Sequence, residues 1–356
     1  MKNTVYPASL VCALLVIASL FVYGCGSNNI AGQSGAATQI VADSLGRKVE
    51  IPAPVKRVVV SNSYIAELIN CIGAMDAIVG VDYGIYEQQD IYRGRFSENS
   101  IIGKSTRELN YEKIIELKPD VLLITGNGAW AEAEKKLADF GIKVIVIDIY
   151  YTDKFQENCL LAGQIFGKEK EAQAYYNFFA EKLHYVKEKL QNVPKKRVYF
   201  EYKREGNTTI PGDYFAKILE YANAENIFAD AKNVQVNADA VILRNPDYIV
   251  RVGKANVVTQ HEPPAVSEFE HIKQEIIARP GWSEINAVKN GHIFLLSHYA
   301  QGGASKITGT LFLAKYLYPQ ELPDLHPEAV FKEWLTQYQH LEYRNGHTYP
   351  AFELNN

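Results

Sequence analysis

Residues 167–194 read GKEKEAQAYYNFFAEKLHYVKEKLQNVP, with no glycine or proline between Gly167 and Pro194. Apolar residues recur at Tyr175, Phe178, Phe179, Leu183, Val186 and Leu190, the period of one buried helical stripe. Strong helix formers fill most other positions, and Gly167 and Pro194 bracket the run as boundary residues. At about 1.5 Å per residue this helix is roughly 35 Å long, the height of a small domain. What lies on either side decides its role.

Before it, short apolar runs alternate with helical patterns. Val49–Ile51, Arg57–Val60, Ala77–Val81, Val121–Thr125 and Lys143–Ile149 read as strands. Ser61-Asn62-Ser63 supplies capping chemistry for a helix carrying Ile65, Leu68, Ile69 and Ile72. Tyr111–Lys118 and Trp130–Phe140 read as further helices, the second stopped by Gly141. After the long helix the order recurs. Lys196–Tyr202 mirrors Lys56–Val60, Asn245-Pro246-Asp247 with its strand mirrors Lys118-Pro119-Asp120, and Asn290–Leu296 mirrors Gly141–Ile149. An insertion at Thr259–Phe269 breaks any clean repeat. The expected fold is α/β, with two parallel-sheet lobes bridged by one long rigid helix.

The N-terminus carries an export pattern. Lys2 is followed by the apolar run Ser9–Val22, short for a bilayer span and suited to a signal-peptide core. The run ends in Val22-Tyr23-Gly24-Cys25, where a small residue before cysteine resembles the lipobox of bacterial lipoproteins and implies acylation at Cys25. Tyr23 is an unusual occupant of that motif, and an uncleaved membrane anchor is the rival reading. The expected organisation is a signal peptide over 1–24, a flexible tether over 25–40 and an N-terminal lobe over 41–166. The interlobe helix follows over 167–194, then a C-terminal lobe with closing helices over 195–345 and a polar, frayed tail over 346–356.

Hydrophobic residues make up 47% and charged residues 22%, which suits a folded body of two lobes. A net charge of −4 implies no general affinity for nucleic acid. Cys71 and Cys159 either pair in an oxidising compartment or stay separate as buried thiols.

Several short stretches together resemble the substrate-binding proteins of ABC importers for ferric siderophores, haem and cobalamin, whose lobes are joined by a single helix. They are Asp43-Ser44-Leu45-Gly46-Arg47, Lys56-Arg57-Val58-Val59, Asn110–Ile114 with Leu117-Lys118-Pro119-Asp120, Gly141–Val144, and Arg279-Pro280-Gly281-Trp282 with Ala287–Gly291. The resemblance runs through the chain beyond the tether. It implies an extracytoplasmic monomer, held at the membrane by its lipid, that delivers a small-molecule metal chelate to a permease and its ATPase. An iron(III) chelate of siderophore type is the expected cargo, with cobalamin, haem or an oxyanion such as molybdate as alternatives. No resident cofactor and no metal held by the protein alone is expected. The resemblance also implies acidic residues that dock to permease arginines, with Glu132 or Glu134 on one lobe and Asp239 or Glu225 on the other as candidates.

Ligands of open parallel sheets bind beyond the carboxyl ends of the strands. Reading the residues just after each strand gives Tyr64, Tyr83, Asn127 and Tyr151 from the first lobe and Arg204, Arg251, His298 and Tyr299 from the second. Asn62, Thr125, Tyr150, Tyr202 and Lys203 lie in the same wall. Tyrosine offers a flat apolar face and a hydroxyl, and arginine donates paired hydrogen bonds to anions. The rival for Arg204 and Lys203 is a solvated loop pair, and for His298 and Tyr299 a packed pair. By resemblance to catecholate binders, Tyr299 with His298 is a candidate to complete the iron shell of a bound chelate. His261-Glu262 in the insertion reads as an exposed loop pair. An enzyme is disfavoured, because no G-x-S-x-G elbow occurs and Ser297 and His298 are adjacent. A structural or adhesion lipoprotein is the third class.

Overall fold

Two separate parallel sheets carry the chain, in a computed structural model that describes residues 37–253 and 261–353. The signal segment, Cys25 and most of the tether lie outside the described residues. The first sheet has the order Ile78–Val81, Val58–Ser61, Val121–Ile124, Lys143–Val146, with all neighbours parallel. The second runs Ala224–Asn226, Lys196–Tyr202, Tyr248–Val252, Ile293–Leu296, also parallel, and adds Thr348–Tyr349 antiparallel at its edge. Each sheet is covered on both faces, so its strands read as unbroken apolar runs.

The long helix spans Glu169–Leu190 and its Tyr175, Phe178, Phe179, Val186 and Leu190 are buried. Glu169 and Glu171 lie in its first turn and Lys187 and Lys189 in its last, each complementing the helix dipole. The helix before it, Phe155–Phe166, crosses closely because Gly163 faces Ala172, where a β-carbon would leave only 2.9 Å between the two. Alternation within the strands splits the core in three. Val58 and Val60 face inward into the same cluster as Val198 and Phe200, with the helix side chains between them. Val59, Leu122 and Val144 face the outer side of the first sheet, and Tyr199, Ile249 and Leu295 that of the second.

The stretches that carry the family resemblance turn out to be scaffold. Asp43 accepts from the amides of Leu45 and Arg47, each at 3.0 Å, and from Val146 N at 3.2 Å, which docks the first hairpin on the sheet edge. Asp120 accepts from the amides of Lys56 and Arg57. Arg279 grips Glu201 through two bonds of 2.8 and 2.9 Å and covers Trp282.

Two boundaries and one loop residue depart from the sequence reading. The strand Thr38–Ala42 pairs with Lys48–Pro52, so residues expected in the tether are already folded. The expected frayed tail is instead edge strand: His347 is fully buried, Thr348–Tyr349 pairs with Leu295 and Leu296, and Phe352 packs on Phe294 and Phe312. Two residues are too few to show a strand period, so the sequence hides this element. The insertion histidine is also buried. His261 donates its amide to Asp90 at 3.2 Å and packs against Tyr299, while Glu262 pairs with Arg344.

Arg251 is a further correction. It lies within the strand Tyr248–Val252 rather than after it, and its guanidinium turns into the lobe, onto Glu201 and the carbonyl of Lys203. Glu201 is buried and also accepts from Tyr199 and Gly206. Burial alone would raise its carboxyl, but Arg279 and Arg251 outweigh burial and hold it below the usual range. Arg251 is therefore a structural ion-pair partner, one of two arginines on a single carboxylate.

The residues after the long helix also tie the halves together. Trp334 donates to the Tyr175 hydroxyl at 3.1 Å, and Asn70 donates to the carbonyl and side-chain oxygens of Gln339 at 3.1 and 3.2 Å. Gln339 in turn reaches Cys71 Sγ at 2.8 Å. Cys71 and Cys159 are free buried thiols, not a disulfide.

Two measurements check this account. Glu201→Gln leaves two buried arginines against one neutral amide, and urea unfolding is expected to show a loss of about 3–5 kcal/mol. Deleting residues 346–356 exposes the edge of Ile293–Leu296, and the thermal midpoint is expected to fall by several degrees. An unchanged midpoint would mean that the segment is frayed after all.

Candidate functional site

The residues that follow the strands of both sheets meet around one side chain, Lys306. From the first sheet, Asn62 caps the helix Ser63–Cys71 by accepting from Tyr64 N at 3.0 Å, and its amide donates to the Tyr150 hydroxyl at 2.6 Å. Thr125 donates to Asn127 at 2.7 Å, and both stand beside the same Tyr150 hydroxyl. Tyr64 meets Tyr150 edge to face at 5.6 Å. From the second lobe, Tyr214 stacks on Tyr150 at 5.3 Å and takes Tyr151 edge-on at 6.4 Å. Phe215 joins Tyr214 to Tyr202, with ring centroids 4.7 and 4.5 Å away. Tyr202 then pairs its hydroxyl with His298 Nε2 at 2.8 Å.

Lys306 fills the centre of this aromatic box. Its Nζ lies 5.0 Å from the Tyr64 and Tyr150 centroids, 4.8 Å from Tyr214 and 5.8 Å from Phe215. The side chain donates to the Tyr150 carbonyl at 3.1 Å and is 1% exposed. Cation–π attraction of this kind grows when the cation is desolvated.

The backbone that presents Lys306 is unusual. The helix that begins at His298 breaks at Gly303, and Ala304, Ser305 and Lys306 all take left-handed conformations at φ 48, 55 and 70°. The first lobe holds this break. Glu67 accepts from Ala304 N at 2.8 Å, and Thr152 donates to the Ser305 carbonyl at 3.0 Å. A β-carbon at Gly302 would overlap the Tyr64 hydroxyl, so glycine is needed there for Tyr64 to reach the box.

Desolvation sets the charges. Burial pulls the Lys306 ammonium down to about 7, with Asp213 and Glu67 opposing. Burial pushes Glu67 up to about 8 against the pull of Ala304 N–H and Lys306. His298 falls to about 3 through burial and the charges of Lys203 and Lys306, so its imidazole is neutral. Burial also raises Tyr64, Tyr150 and Tyr214, so their hydroxyls stay protonated donors rather than phenolate ligands.

Of the residues singled out from sequence, Tyr64, Asn127, Tyr151 and His298 converge here, with Tyr150, Tyr202 and Asn62 from the same wall. Arg204 is exposed on the loop after Tyr202, next to Lys203, whose Nζ covers the Tyr202 ring at 5.2 Å. Tyr83 is exposed and packs on Tyr86. Tyr299 goes elsewhere: it is buried among His261, Phe331, Trp334 and His347, the packed alternative rather than an iron ligand. The expected docking acids are all exposed, Glu132 paired with Lys136 and Glu134 with Arg47, and Asp239 in the first turn of the helix Ala238–Arg244. Sequence reasoning missed Lys306, Tyr214, Phe215, Glu67 and Thr152. Pro211-Gly212 before Asp213 and Gly302-Gly303 before Lys306 were the available signs of irregular backbone.

Comparison with known proteins places this geometry. The family described as periplasmic binding protein matches residues 58–300, more than half of the chain. A Bacillus subtilis protein named uncharacterized ABC transporter substrate-binding lipoprotein YvrC is 27% identical over 326 residues, spanning 86% of this chain and 96% of its own. The molybdate-binding protein MolA of Haemophilus influenzae is 25% identical over 344 residues, spanning 87% and 93%. Among solved structures, FepB of Veillonella parvula, titled a TroA-like periplasmic binding protein, superposes with a TM-score of 0.73 at 23% identity, covering 87% of this chain and 98% of its own. MolA bound to molybdate superposes with a TM-score of 0.69 at 23% identity, covering 86% and 99%. The structural likenesses show the two-lobed fold, and the sequence match gives the family. The chain belongs to the periplasmic binding proteins, the substrate-binding components of ABC transporters, which work with a permease and an ATPase and are not enzymes.

Proposed function

We propose that this protein captures an iron(III) chelate of siderophore type between its lobes and hands it to the permease. The observation that carries the reading is the aromatic wall of Tyr64, Tyr150, Tyr151, Tyr202, Tyr214 and Phe215, assembled at the carboxyl ends of both sheets. Flat rings with protonated hydroxyls suit the outer surface of a large organic chelate, which is apolar with polar edges. The metal then travels as cargo inside its own chelator, and the protein supplies no resident cofactor. Burial of the tyrosine hydroxyls fits this reading, since a phenolate ligand would have to lose its proton at a desolvated site.

An oxyanion such as molybdate is the second reading, favoured by the similarity to MolA and by the buried cation in the box. Cobalamin and haem are further alternatives, because vitamin B12-binding proteins and a haem-binding structure are also similar to this chain. The export pattern and the lipoprotein named among the relatives support acylation at Cys25 and a place on the outer face of the cytoplasmic membrane. No helix among the described residues is long and apolar enough to cross a membrane. The protein then acts as a lipid-tethered monomer, with Glu132, Glu134 and Asp239 offered to the permease.

Thermal unfolding against a ferric catecholate, a ferric hydroxamate, haemin, cyanocobalamin and molybdate tests the cargo. A ligand at a hundred times its Kd adds about 2.7 kcal/mol, enough to raise the midpoint by several degrees. A shift with a ferric chelate is expected, and a shift with molybdate alone transfers the assignment to the second reading. Tyr214→Ala removes one wall of the box, and titration is expected to show at least about tenfold weaker binding with the fold retained.

A further inference from the structure

Lys306 has the attributes of a ligand group that the fold itself does not use up. An ammonium carries three donors, yet among the described residues Lys306 makes one hydrogen bond, to the Tyr150 carbonyl. No carboxylate lies within ion-pair distance of it among the described residues: Glu67 serves Ala304 N, and Asp213 serves Phe215 N at 3.0 Å. Buried cations are ordinarily paired. Three consecutive non-glycine residues in the left-handed region are strained, and strain of this kind gathers at ligand sites. The strain here has one visible product. It reverses the chain so that Lys306 projects into the box while the apolar helix Ile307–Leu317 continues into the core.

The box is also split between the lobes. Tyr64 and Tyr150 belong to the first, Tyr214 and Phe215 to the second, so a small opening parts Tyr214 from Tyr150 and uncovers Nζ. Resting on the capture reading above, we propose that Lys306 is the anion anchor of the cleft: its ammonium takes a negatively charged oxygen of the cargo, and the protein selects anionic chelates or oxyanions over neutral ones of similar size. Asn62, Thr125 and Asn127, gathered at the Tyr150 hydroxyl, supply neutral hydrogen-bonding groups at the edge of the same space. Lys203 and Arg204 at the rim add positive charge for the approach.

The groups facing Lys306 fix the expected pH response. They are Tyr64 and Glu67 on the helix Ser63–Cys71, Tyr150, Asp213 and Tyr214 in the loop before Ala216–Tyr221, and His298 with Lys203. An anion stabilises the charged amine and so raises its proton affinity in the complex. Binding is therefore strongest well below pH 7, where the free amine is mostly charged. Above pH 7 each complex must take up a proton, and affinity falls as pH rises.

The test uses the full chain and four probes: a trianionic ferric tricatecholate, molybdate, a neutral ferric trihydroxamate and cyanocobalamin. Each is titrated calorimetrically at pH 6.5 and 8.5 against wild type and Lys306→Met. Methionine keeps the unbranched stem and the same backbone demand, and loss of an unpaired buried charge leaves the fold intact. The expected result is binding of an anionic probe by wild type, weakened about 10- to 100-fold in Lys306→Met. The wild type also binds more weakly at pH 8.5, by a larger factor than the variant, whose remaining dependence comes from Glu67. Lys306→Arg, which stays charged, is expected to lose less affinity than wild type between pH 6.5 and 8.5. Binding of the anionic probe unchanged in Lys306→Met, or of the neutral probes alone, overturns the anchor while leaving the capture of a chelate standing. Binding of none of the four overturns the cargo reading and the anchor with it.

Discussion

One apolar core joins both sheets, and the rest of the molecule is arranged within that limit. Val58 and Val60 of the first sheet and Val198 and Phe200 of the second are buried in the same cluster, bridged by Tyr175, Phe178, Phe179 and Val186 of one helix. Packed cores are bistable or rigid, not continuously deformable, so a single helix anchored at both ends permits a small hinge and resists a wide clamshell. The bonds between Trp334 and Tyr175, and between Asn70 and Gln339, tighten the same limit from the C-terminal side. Recognition must then come from a cleft already close to its final shape, with little energy left for reorganisation.

That constraint places the polar chemistry. Both sheets point the carboxyl ends of their strands at the space between them, and the residues found there are aromatic, hydroxyl-bearing and amide-bearing. Desolvation governs each titratable group: it lowers Lys306 and His298 and raises Glu67 and the tyrosines, so burial pulls every one toward its neutral form. A site biased toward neutrality with one marginal cation at its centre responds strongly to an arriving negative charge. Deeper in the second lobe, Arg251 and Arg279 are already committed to Glu201.

Much of the scaffold was legible in the sequence. The helix stripe, the strand runs and their repetition across Gly167–Pro194 follow from periodicities that burial on one or two faces imposes. The stretches that carried the family resemblance were legible for a related reason: Asp43, Asp120 and Arg279 hold turns and strand ends, so they mark the fold and are silent about cargo. The site was half legible. Residues directly after strands, such as Asn62, Tyr64 and Tyr150, were found by position. Lys306 was not, because its place depends on a helix broken by left-handed backbone, and a lysine opening an apolar helix looks like a solvated first turn. Arg251 and Tyr299 misled for the opposite reason. Each sits at the correct strand end, but strand position does not reveal that Glu201 waits inside the lobe or that Tyr299 turns toward His261 and Trp334.

The most direct measurement is a crystal structure of the protein with the anionic ligand that binds it most tightly. The account predicts ligand density between Tyr150 and Tyr214, with a negatively charged oxygen about 2.7–3.0 Å from Lys306 Nζ. It also predicts that the interlobe core around Tyr175 and Phe179 is unmoved. Density elsewhere, or Lys306 still directed at the Tyr150 carbonyl with the ligand bound, would contradict it.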